Sequence, residues 1–296
     1  AVLLAVRVVP ETYDPTASEH IDWLGGAVLV TGLGATVFAL IQGPADGWST
    51  ATIVLLAVGV LALLLFVVIE RRVPNPMVPL AMFRSRQFSG ANATTLFVYA
   101  ALSGVLFLLV VHLQTDLGYS ALEAGAAFLP ATACLLVLSP RTGALSQRIG
   151  PRVPMTIGPL VAGSGMLLLA GVEPGRSYWT AVLPGVLVLG IGLSITVAPL
   201  TTAVLAAAGD ARAGIGSAIN NAVSRVAGLI AIAILPTAAG LTTSGTSLDL
   251  ERGFGTAMVI CGVTCALGGV ISAALIRTGT PTRTIRRADV TIPCPS

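Results

Sequence analysis

Eight separate stretches of the chain are each long and apolar enough to cross a lipid bilayer. Spanning about 30 Å of hydrocarbon at 1.5 Å per residue takes about 20 mostly apolar residues. Residues 23–42, 51–69, 89–113, 121–145, 153–172, 178–207, 214–238 and 254–276 meet that requirement. With 55% hydrophobic and only 10% charged residues, against about 25% charged in soluble domains, the chain carries more apolar side chain than a water-soluble fold can hide. Barrel strands would alternate in polarity over about ten residues, and these runs do not. The expected class is therefore an all-α membrane protein with about eight transmembrane helices, and membrane lipids are its first partners.

Short polar turns separate the runs, such as Gly43-Pro44-Ala45-Asp46-Gly47, and a longer linker holds Arg71, Arg72, Arg84 and Arg86. All sixteen basic residues are arginines. If the first full helix starts in the cytoplasm, the alternation puts Arg7, Arg71, Arg72, Arg84, Arg86, Arg148, Arg152, Arg212, Arg277, Arg283, Arg286 and Arg287 on that side. Arg176 and Arg252 fall opposite. An arginine excess of this kind marks cytoplasmic loops, so the chain is expected in the cytoplasmic membrane with both ends inside the cell. A formal charge of +3 gives no reason to expect a nucleic-acid partner. Residues 1–10 read as the last turns of a helix entered midway, without a signal peptide's basic start.

Chemistry-bearing residues are few. Arg225 sits mid-helix in 214–238, where a charge costs at least about 2.5–3.5 kcal/mol on insertion scales. Asn221 lies one turn earlier on the same face, with Asn220 and Ser224 beside it. A polar transport path and a structural arginine capping a neighbouring helix both fit that pattern, and no acid within the spans is an evident counter-charge. His112 and Gln114 end the third span. The histidine suits either proton handling near neutral pH or a resting place at the membrane interface. Gly143, Arg148, Gly150 and Arg152 punctuate a tight turn whose arginines can meet the negative ends of helix dipoles. Pro130, Pro159, Pro184, Pro199 and Pro236 lie within or near spans, where proline kinks helices or frees carbonyls. Cys134, Cys261 and Cys265 read as small packing residues in apolar runs. Neither metal nor cofactor is expected. No metalloprotease, nucleophile-elbow, dinucleotide or phosphate-loop motif occurs, so no catalytic residue is assigned and an enzyme is not expected.

Four stretches together resemble the C-terminal part of a major facilitator superfamily transporter of the fourteen-helix drug:proton antiporter group. They are Ile21-Asp22-Trp23-Leu24-Gly25; Pro76-Met77-Val78-Pro79-Leu80 through Phe83-Arg84-Ser85-Arg86; Leu113-Gln114 through Tyr119-Ser120 with Ala124-Gly125 and Leu129-Pro130; and Gly216-Ser217-Ala218 with Asn221 and Arg225. The turn from Gly143 to Gly150 resembles the family's gating loop, Gly-x-Leu-x-Asp-Arg-x-Gly, with Gln147 in place of the acid.

The resemblance implies a division into 1–20 (end of a preceding helix and loop), 21–72 (inserted helix pair), 73–88 (cytoplasmic linker), 89–277 (six-helix second half) and 278–296 (cytoplasmic tail). It further implies proton-coupled efflux of drugs or other small amphipathic compounds, with the substrate and protons passing between this half and a missing N-terminal six-helix half. Arg225, Asn221, Asn220, Gln114 and His112 would then contribute to the pathway. A superfamily transporter of another substrate, or a truncated non-transporting remnant, are the competing expectations.

Overall fold

The computed structural model describes residues 22–73, 76–173, 175–209, 212–241 and 247–277, without the side chains of 44, 45 and 247–252. Readings that fall on 1–20 and on the tail 278–296, including Arg7, Arg283, Arg286, Arg287 and Cys294, lie outside them.

The described residues fold into helices α1 (Trp23–Ala45), α2 (Thr50–Arg72), α3 (Arg86–Thr115), α4 (Ala121–Ala126), α5 (Leu129–Ile149), α6 (Arg152–Leu169), α7 (Tyr178–Ala181), α8 (Leu183–Ala208), α9 (Ala213–Ala238) and α10 (Ser247–Leu275). A 3-10 turn, Leu80–Arg84, precedes α3. Eight spans among them are long and apolar enough to cross a membrane. In such a medium each backbone polar group must be satisfied within its own segment, which is what a helix does.

Two of the expected spans are interrupted. The fourth breaks at Ala127 and Phe128, so the short α4 precedes α5. The sixth begins at Leu183, since Tyr178–Ala181 forms a separate turn. Pro130 and Pro184 explain both breaks. They occupy the first turns of α5 and α8, where a missing N–H costs nothing, so they start helices rather than kink them. Pro159, Pro199 and Pro236 do lie inside helices, as does Pro140. The second run also extends further than its apolar composition indicates, carrying Glu70 into the last turn of α2 rather than into the linker.

Helices α3, α6, α8 and α10 enclose the main core. Val98, Val105 and Leu109 of α3 meet Met166 and Leu169 of α6, Leu189 and Leu193 of α8, and Met258, Cys261 and Cys265 of α10. α5 packs on α8, and α9 packs on α3. The tightest contact joins α6 and α8: a Cβ on Gly192 would collide with the backbone of Ala162. Close backbone approach through small residues replaces the hydrophobic drive that lipid does not supply.

The first two helices pack chiefly on each other, and α1 touches α9. α2 leaves Val54, Leu61, Leu64 and Leu65 exposed, and the helix has a mean hydropathy of 3.2. Because successive spans run antiparallel, Arg71, Arg72, Arg84, Arg86, Arg148, Arg152, Arg212 and Arg277 gather at one end of the bundle, and Arg176 lies at the other.

Candidate functional site

Half-way along α9, Arg225 opens onto a cleft of about 510 Å³ between α9 and α3. Asn221, Ser224, Gly228, Leu229 and Ile232 line it from α9, and Tyr99 and Ser103 from α3. Asn221 and Arg225 are exposed to it together, as their i, i+4 spacing requires. Among the described residues no carboxylate lines the cleft, and Arg225 has no ion-pair partner. Across the cleft stand the Tyr99 and Ser103 side chains of α3. The cleft therefore presents a cation, a phenol, an amide and two hydroxyls beside apolar side chains. That mixture can hold an amphipathic molecule by its greasy face and orient its polar groups.

Asn220, one residue away, points elsewhere. Its amide nitrogen donates to Thr95 Oγ1 at 2.6 Å and to Asn92 Oδ1 at 3.4 Å. Asn92 in turn donates to the Phe88 carbonyl, and Thr95 to the Ala91 carbonyl. These bonds fasten α9 to α3 below the cleft, and Asn220 is not one of its lining residues.

Gln114 and His112 lie near the far end of α3. Gln114 stands eleven residues beyond Ser103, about 16 Å along the axis at 1.5 Å per residue. It is exposed and donates only to the Val110 carbonyl at 3.4 Å. His112 is buried at 3% exposure. Its Nδ1 lies 2.6 Å from Asp116 Oδ2, its Nε2 lies 3.2 Å from the Val172 carbonyl oxygen, and its ring stacks on Phe254 at 3.9 Å. The structure brings neither residue to the Arg225 cleft.

At the arginine-rich end, Gly150 closes α5 with φ +84°, a conformation suited to glycine. Arg152 then donates from Nε and from one terminal nitrogen to the Ala273 carbonyl, at 3.1 and 2.7 Å. Ala273 is in the last turn of α10, so the start of α6 is tied to a helix C-terminus, where a cation is favoured. Arg148 and Gln147 are exposed, and Gly143 faces Ala198 across α5 and α8.

Tyr99 and Ser103 escaped the sequence reading. Their signal is a polar stripe, Thr95, Tyr99, Ser103, repeating every fourth residue of an otherwise apolar run.

The Major Facilitator Superfamily family model matches residues 5–232. The chain belongs to the major facilitator superfamily. Among its relatives is the multidrug resistance protein Stp of Mycobacterium tuberculosis, 35% identical over 79% of this chain and 43% of the relative. The methylenomycin A resistance protein of Streptomyces coelicolor is 32% identical over 90% of this chain and 54% of the relative. The cephamycin export protein CmcT of Amycolatopsis lactamdurans is 32% identical over 80% of this chain and 49% of the relative. This superfamily chain thus spans about half the length of the curated relatives it matches.

Proposed function

We propose that the chain supplies the second half, with an inserted helix pair, of a secondary active transporter that exports drugs or other small amphipathic compounds across the bacterial cytoplasmic membrane. Relatives named for resistance and export support the substrate class. The observation that carries the reading is Arg225, a mid-span cation left without a carboxylate and facing a mixed polar and apolar cleft. An intramembrane ionisable residue with access to a cavity marks a substrate or ion path.

In this reading the rest of the transporter closes the cleft and gives Arg225 its counter-charge, either a substrate group or a carboxylate that gains and loses a proton. Binding near the midplane between two rocking halves is how such transporters alternate access. Protons drive the export, and the arginine-rich end faces the cytoplasm. Asn221 and Tyr99 orient substrate polar groups. Asn220 holds α9 against α3, Arg152 latches α6 to α10, and Gly143 and Arg148 belong to the last two turns of α5, ahead of the turn into α6.

The test is dye efflux from cells carrying the full gene. Arg225→Ala is expected to cut the efflux rate at least about tenfold, the equivalent of about 1.4 kcal/mol, at unchanged membrane abundance. A protonophore should abolish wild-type efflux. Wild-type rates in the Ala variant would overturn the assignment of Arg225.

A further inference from the structure

Other arginines of this fold show what a structural role looks like. Arg141 turns back to the Val137 carbonyl of its own helix at 2.9 Å. Arg152 reaches the Ala273 carbonyl of α10, and Arg176 pairs with Glu173. Arg225 does none of these. Half-way along α9, it has no hydrogen bond or ion pair among the described residues, and it is exposed to the cleft it shares with Tyr99 and Ser103. A charge at that depth needs something to meet it.

The groups beside Arg225 favour one sign of charge. The Asn221 amide, the Tyr99 phenol and the Ser103 hydroxyl can all donate, as can the guanidinium itself. Ser224 adds no donor, because its hydroxyl already donates to the Asn221 carbonyl at 2.8 Å. Ser103 keeps its place because residue 228 is glycine: a Cβ there would come within 2.7 Å of Ser103 Oγ. Among the described residues no Asp or Glu lines the cleft. A cation entering it meets a like charge in a medium of low dielectric, whereas an anion meets its complement. The planar guanidinium fork matches a carboxylate with two parallel N–H···O bonds.

The apolar lining has a direction. Leu229 and Ile232 follow Arg225 by four and seven residues, so they continue its face of α9, about 6 and 10 Å further along the axis. Because α9 starts at Arg212, they lie on the side of Arg225 away from the arginine-rich end.

We propose that the cleft selects acidic amphiphiles. The carboxylate sits on Arg225 and Asn221, Tyr99 and Ser103 donate to its remaining lone pairs, and the apolar body lies along Leu229 and Ile232. This rests on the cleft being the transporter's substrate site, and adds the charge that its substrates carry.

The experiment titrates the full-length protein, in nanodiscs of zwitterionic lipid, with three probes that share one fluorophore. Dansylglycine is an acid, dansylcadaverine an amine and dansylamide neutral; binding to empty nanodiscs is subtracted. The wild type is expected to bind the acid at least about tenfold tighter than the neutral probe, about 1.4 kcal/mol, and the amine most weakly. Arg225→Gln should weaken the acid by the same factor and leave the neutral probe within about twofold. Arg225→Lys, which keeps the charge without the fork, should fall between them. An amine bound as tightly as the acid, no measurable binding of the acid, or equal losses for all three probes in Arg225→Gln overturns the proposal. Should Arg225→Gln fail to insert, the wild-type ranking decides alone. Dye efflux separates this failure from that of the transport reading. Efflux that still collapses in Arg225→Ala, beside a wild type with no preference for the acid, refutes the anion site alone; efflux untouched by Arg225→Ala refutes both.

Discussion

Both ring nitrogens of His112 face acceptors, a carboxylate on one side and a main-chain carbonyl on the other. A neutral ring can donate to one of these two acceptors at a time. The sequence already held Asp116 one turn away, so half of this arrangement was readable from spacing alone. Val172, 60 residues on, and Phe254 were not, because only the packing of α3 against α10 and the loop after α6 brings them in. The same limit applies to Arg225: its depth could be counted, but Tyr99 and Ser103 come from another helix. At His112 the consequence is measurable. His112→Phe preserves a flat ring for Phe254 and strips both polar contacts, leaving a buried acceptor unsatisfied at a cost of about 1–3 kcal/mol. His112→Ala removes the stacked ring as well and leaves a cavity. Thermal unfolding in detergent should therefore rank wild type above Phe above Ala. Equal midpoints for all three would show that the contacts hold nothing.

Hydropathy reveals that an element exists, and it is blind to how closely two elements approach. All eight spans were legible for that reason, while the breaks before α5 and α8 were not, since a proline starting a helix and one bending it look alike in composition. Close approach is the other hidden quantity. α6 and α8 meet where Gly192 lies against the Ala162 backbone, with Leu189 and Leu193 packed on either side into the core. Side-chain rearrangement cannot relieve a clash with backbone, so the two helices would have to separate. Gly192→Val is accordingly expected to reduce the folded, detergent-stable fraction severely, beyond the 0.5–3 kcal/mol range of ordinary substitutions. Ala is expected to be milder but still destabilising. Fluorescence-detected size-exclusion chromatography reads both, and a monodisperse Val variant at wild-type yield would contradict the packing described here.

At the scale of the whole molecule, charge is arranged by end. Arg71, Arg72, Arg84, Arg86, Arg148, Arg152, Arg212 and Arg277 share one end, and Arg176 stands at the other, ion-paired to Glu173 at 3.1 Å. Exposed Trp179 and Trp48 mark that second end, as aromatic residues do at a membrane interface. Reversing the bundle would carry at least eight guanidinium groups across the bilayer, against the bias that sets orientation during insertion. This predicts which loops a reagent can reach from outside the cell. Gln147, in the last turn of α5, and Ser177, just before α7, are both exposed and lie at opposite ends. Each can be replaced by cysteine in a background lacking Cys134, Cys261, Cys265 and Cys294. A membrane-impermeant maleimide added to intact cells should label Ser177→Cys at once and Gln147→Cys only after the membrane is opened. The reverse pattern would place the arginine-rich end outside, and with it the Arg152 latch.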